Sequence, residues 1–291
     1  MDGHVCSDAR NIGSIALGCQ SKPIPAEMVS HGQSLPRRRA REAPLTLPLG
    51  SENVPFRGSL RTFNRGVYVM ENQAFIDSLM REIVHPGVDR LMNGRFFTEL
   101  RAGTLSKRRL QGFALQHYLS NHAINKGLAF CMVKNASNPP AYNQFVELFV
   151  EESSHPALMK RFGQALGLTD DDFENEIMIY DCVAHTAAII RGMFLGTPAE
   201  TRAGALVNET MVCRYSEEFA TALEKHYGLD SRARTFFIVH GKVDQEHTAM
   251  AAETIARHAT TEREQTLVRA AARNMVRFKL AKFEGIYDAY A

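Results

Sequence analysis

After residue 70, apolar residues recur every three or four positions, and no alternating strand pattern competes with them. That period marks amphipathic helices that turn one face to a core. It predicts helices over residues 71–93, 107–134, 138–167, 181–195, 200–227 and 261–287, with one more starting after Asp230-Ser231. Local signals set their ends. Thr104 or Ser106, Asn138 and Thr169 can cap helix starts, and Gly167 and Gly228 can stop helices. Pro86-Gly87 should break or kink the first helix, and Pro156 should distort the third. The reading is an all-α fold, a single bundle of about seven helices, spanning residues 66–291.

Residues 1–65 read differently. Segments such as SLPRRRAR and APLTLPLG carry no sustained period, which predicts a disordered N-terminal tail and makes Met70 a plausible later start. The basic run at residues 36–41 lacks the apolar stretch an export signal needs. The 291 residues carry 34 Lys and Arg against 32 Asp and Glu, a balance that gives no electrostatic case for nucleic acid. Five cysteines without a CxxC spacing argue for a reducing, cytoplasmic setting rather than a disulfide framework or zinc ribbon. No apolar run approaches the ~18 residues of a membrane span. The expected partner is a small molecule, and a homodimer is compatible with the sequence.

The chemistry gathers in FFIVHGKVDQEHTAM. His240, Asp244 and His247 stand at i, i+4 and i+7, on one helical stripe with Phe236, Phe237, Met250 and Ala251. Two imidazoles and a carboxylate on an inward-looking face need partners, because bare burial is costly. Metal ions can fill that role. A second half-site is offered by Glu152 and His155, an E-x-x-H pair that one continuous helix would present on one face. Glu151, four residues before His155, is the alternative carboxylate. Glu209 is an acid inside an apolar stretch, with Cys213 one turn later. Such a mixture of imidazoles and carboxylates suits iron or manganese better than zinc. Two metals would use all six groups; one metal would need about half of them.

The order E-x-x-H, an isolated Glu, then H-x3-D-x2-H resembles the haem-oxygenase-like di-iron oxidases and oxygenases, a fold shared with thiaminase-like proteins. The stretches HPALMKRFGQALGLTDD and YGLDSRARTFFIVHGKVDQEHTAMA carry the same resemblance, which covers about residues 70–285. It implies Glu152 and His155 as the first ligands, Glu209 as the central carboxylate, and His240, Asp244 and His247 as the remaining set. Asn121 and His122 stand where some members carry a further Glu. The implied cofactors are two Fe(II) ions, or manganese, with O2 as co-substrate. The implied reaction is oxidative decarboxylation, fragmentation or N-oxygenation of an amino-acid- or fatty-acid-like substrate.

Tyr118, His122, Arg191 and Arg214 are the sequence's candidates for holding a substrate carboxylate, and polar groups around them favour an amino-acid-like substrate. Two rival readings are available. One is a metal-free thiaminase-like hydrolase or cofactor-free oxidase that uses Cys213 with Glu209 as base. The other is a non-enzymatic helical protein that binds haem or another ligand through a histidine.

Overall fold

The computed structural model describes residues 68–291, and the side chains of residues 72–139, 141–241 and 247–291. The tail expected over residues 1–65 lies outside that range. In chain order the helices are α1 (Tyr68–Leu79), a π-helical turn (Met80–Val84), α2 (His85–Met92), α3 (Arg95–Ala102), α4 (Lys107–Lys134) and α5 (Pro139–Glu152). They continue as α6 (His155–Ala165), α7 (Asp170–Asn175), α8 (Tyr180–Leu195), α9 (Pro198–Tyr227), α10 (Thr235–His258) and α11 (Glu262–Ala289). The described residues contain no strand, so the fold is all-α as expected.

The eleven segments exceed the expected seven for physical reasons. Pro86 opens α2 directly after the π turn, so the proline break becomes a bulge within an otherwise continuous run. Pro156 likewise opens α6 and separates it from α5. The short helix α3 fills a stretch that the sequence reading left as a turn, while α7 is the short helix that the Thr169 cap predicts. Caps fall where the side chains predict them. Ser106 accepts from Arg109 N–H and Asn138 from Ala141 N–H, while Thr197 and Thr261 form reciprocal capping boxes with Glu200 and Glu264. Gly228 ends α9 at φ +66°, a left-handed conformation that costs a residue with a side chain more.

The core is aromatic. Phe219 on α9 stacks on Phe237 of α10 at 4.4 Å and 13°, and Phe113 of α4 lies 4.8 Å from Phe219. Phe97 and Phe283 bring α3 and α11 to the same cluster at 4.9 Å. All of these rings are essentially fully buried, and each is worth ~1.5–3 kcal/mol of transfer free energy. This packing clamps α4, α9, α10 and α11 together. Buried Gln116 tightens the end of the bundle, donating to Tyr290 Oη at 2.7 Å and accepting from Ile179 N–H at 3.0 Å.

Candidate metal centre and cavity

Pro156 has no N–H, so the carbonyl four residues earlier, on Glu152, has no helical donor. Asn125 Nδ2 of α4 donates to that carbonyl at 3.2 Å and fixes the break against the bundle. Ser153 and Ser154 keep helical dihedrals through the junction. Glu152 and His155 therefore stay side by side although they belong to two helices. This corrects the expectation of one continuous helix face. The His155 Nδ1–Glu152 Oε2 distance is 2.5 Å.

Other helices bring their groups to the same place. His240 on α10 faces His155, with ring centroids 4.4 Å apart. His247, one stripe further along α10, has Nε2 at 3.0 Å from Glu151 Oε2 and Nδ1 at 3.9 Å from Glu209 Oε2 on α9. Glu151 and Glu152 thus divide the work between two histidines. Glu152, His155, Glu209 and His240 line a cavity between the helices, and Glu151 is half exposed outside it. The side chain of Asp244 lies outside the described residues.

Electrostatics follow from this crowding. Burial would raise the Glu152 carboxyl, but its hydrogen bond to His155 and its electrostatic interactions with His155, His240 and His247 hold it below the ordinary carboxylate value. His240 is pushed down to about 4, first by burial and then by His155, against smaller opposing effects of Phe236 O, Glu152 and Glu209. Its Nδ1 lies 2.7 Å from Phe236 O, and a carbonyl can only accept, so Nδ1 carries the proton. The neutral ring then keeps its lone pair on Nε2, the form a metal ligand requires.

Among the described residues no group of three His, Cys, Asp or Glu side chains is arranged to hold a metal ion as it stands. The donors instead bond one another: carboxylate oxygens and imidazole nitrogens sit at 2.5–3.0 Å in two Glu–His pairs. Hard oxygens with imidazole nitrogens suit iron in donor type, and a backbone carbonyl already orients one ring. In donor type, the residues therefore fit the implied metal.

The cavity has a volume of about 980 Å³. Its wall is partly apolar, with Ile124, Leu128, Phe145, Leu148 and Ile189 among the lining. The sequence's substrate-holding candidates fare unevenly. Arg191 lines the cavity. Tyr118, His122 and Arg214 do not: Tyr118 packs on His122 and Phe173, and Arg214 pairs with Glu217 and Glu218 at the surface. Cys213 is also off the lining, with its thiol donating to Gly241 O at 3.6 Å.

The lining contains cations and imidazoles that sequence reasoning missed. Lys279 and Lys282 on α11 are each 1% exposed. Burial lowers Lys282, offset in part by Cys182. It also holds His117 and His185 well below the ordinary imidazole value, and the charges of Lys282 and Lys279 add to this. The signal was available: both lysines fall on the buried stripe that runs through Met275, Val276, Phe283 and Ile286.

A helical bundle whose cavity carries histidines and carboxylates at one wall defines a class, the haem-oxygenase-like all-α fold. The chain belongs to the family of iron-containing redox enzymes, whose model matches residues 111–279. That stretch is more than half of the chain and encloses Glu152, His155, Glu209, His240, Asp244 and His247. A comparison with curated proteins gives no match. Solved structures agree on the fold. A domain of unknown function with a haem oxygenase-like fold from Shewanella denitrificans superposes with a TM-score of 0.65 at 17% identity, covering 74% of this chain and 93% of its own. A TenA homologue from Pseudomonas syringae pv. tomato gives 0.65 at 13% identity, with the same coverages. A cadd-like protein of unknown function from Nostoc punctiforme gives 0.58 at 13%, covering 77% and 98%. Among the described residues no helix is long and apolar enough to cross a membrane.

Proposed function

We propose that this family member is a non-haem di-iron enzyme that uses O2 to oxidise a small amino-acid- or fatty-acid-like molecule held in the cavity. The observation that carries the reading is the convergence of Glu152, His155, Glu209, His240 and His247 from four helices, with His240 fixed in a ligand-ready tautomer. Together with Asp244 these residues would hold the metal. Bound ferrous ions supply electrons to O2 and Lewis acidity at the cavity wall. The chain's own part is positional. Phe236 O orients His240, and the Phe236 ring stacks on that buried imidazole at 4.0 Å. Glu151 and Glu152 hold His247 and His155 in place.

Anaerobic titration with ferrous iron, followed by admission of O2, tests this. Two equivalents should bind per chain and oxygen should then be consumed, and His240→Ala should lose both. Fewer than one equivalent bound by the native chain would overturn the assignment.

A further inference from the structure

The cavity wall also carries two buried lysines, Lys279 and Lys282. Lys282 is buried, and its Nζ lies 3.4 Å from His117 Nδ1. No carboxylate among the described residues forms an ion pair with it. Lys279, one turn earlier, donates to Asn208 Oδ1 at 2.7 Å. Beside Asn208, the His185 ring is 2% exposed, and neither of its nitrogens makes a hydrogen bond of normal geometry. Buried Asn121 Nδ2 also lacks a partner. All of these side chains line the same cavity.

A buried ammonium without a counter-charge is costly, and so is each unsatisfied donor. A single negative group between them would relieve both costs. We propose that Lys282, flanked by Lys279, His185 and Asn121, forms the binding site for the carboxylate of the substrate, and that this substrate carries no amino group next to its carboxylate. The second part follows from what else is there. Among the described residues, the carboxylates of the lining are Glu152 and Glu209, in the candidate metal cluster, and Glu200, held in the capping box of α9. Glu200 is committed to its helix cap and the other two to the histidines, and two lysines would repel an ammonium beside Lys282. The apolar side chains of the lining suit a hydrocarbon tail.

The geometry also orients the molecule. The His117 ring, beside Lys282, lies 5.2 Å from the Phe236 ring, which in turn stacks on His240. A carboxylate at Lys282 thus sets its nearest carbons within a few side-chain widths of the candidate metal centre. The inference rests on the proposed oxidase reading for its meaning as a substrate site, but its test does not use iron.

Binding of octanoate, 1-octanol, octylamine and 2-aminooctanoate to the purified full chain without added iron should be measured by calorimetry. Octanoate should bind at least about ten-fold more tightly than the other three. Lys282→Met should weaken octanoate by about ten-fold or more, while Lys282→Arg keeps most of the affinity. Octanoate should raise the unfolding temperature of the native chain and leave that of Lys282→Met unchanged. Equal binding of octanol and octanoate, undiminished binding by Lys282→Met, or binding of 2-aminooctanoate as tight as octanoate would overturn the proposal. Ferrous binding by Lys282→Met should stay at the native level, so a failure of the metal reading and a failure of this one remain distinguishable.

Discussion

His117, His185 and His240 are three imidazoles that burial keeps neutral in the folded chain. Unfolded, each titrates near its ordinary value of 6.5. Below that pH the unfolded chain binds protons that the folded chain refuses, so stability falls as pH drops. For His240 the loss runs from 6.5 down to about 4 and amounts to on the order of 3 kcal/mol. Glu152, held low, adds an acid-side loss of the same sign below the ordinary carboxylate value. Iron-free protein should therefore unfold at clearly lower urea concentration at pH 5 than at pH 7.5, with little change between 7.5 and 8. A urea midpoint that is flat from 5 to 7.5 would show that these rings protonate freely. At this scale the sequence was partly legible. An imidazole on an apolar stripe was visible at His240, but its partner, the Phe236 carbonyl, follows from helix geometry and ring rotamer together.

The α5–α6 junction shows how one element boundary shapes a site. Pro156 marked the break in the sequence, and E-x-x-H marked the chemistry. What holds the pair together is a contact from elsewhere, the Asn125 carboxamide on the orphan carbonyl of Glu152. Asn125→Ala should remove one hydrogen bond, costing about 1 kcal/mol of stability. Its larger effect should be on ferrous affinity, because the Glu152 and His155 side chains lose their fixed approach. Unchanged iron binding in this variant would show that the junction is rigid without Asn125. Nothing in the sequence around Asn125 distinguished it, since its partner is 27 residues away.

For the molecule as a whole, α9 and α10 form the frame of the candidate centre. Glu209 and His240 ride on these two helices, and the stacked Phe219 and Phe237 rings join them. Phe219→Ala should cost ~3–5 kcal/mol, because it leaves a cavity at the meeting point of five aromatic rings. Thermal unfolding should show this as a drop of several degrees in Tm. A loss below about 1 kcal/mol would mean that the neighbouring rings collapse into the space.

The sequence by itself determined the helices, their caps and most of their ends, because these depend on neighbours within a turn: Ser106 and Arg109, Thr261 and Glu264, Gly228 after α9. It also singled out the candidate ligands, since Glu152, His155, Glu209, His240 and His247 are ionisable groups set among or beside apolar residues. Tertiary structure decided what those residues touch. It divided Glu151 and Glu152 between two histidines, took Tyr118, His122 and Arg214 away from the cavity, and turned Lys279 and Lys282 into it. Period and capping are local properties of a helix. Which side of a buried stripe meets a neighbour, and which meets a cavity, depends on how distant helices pack.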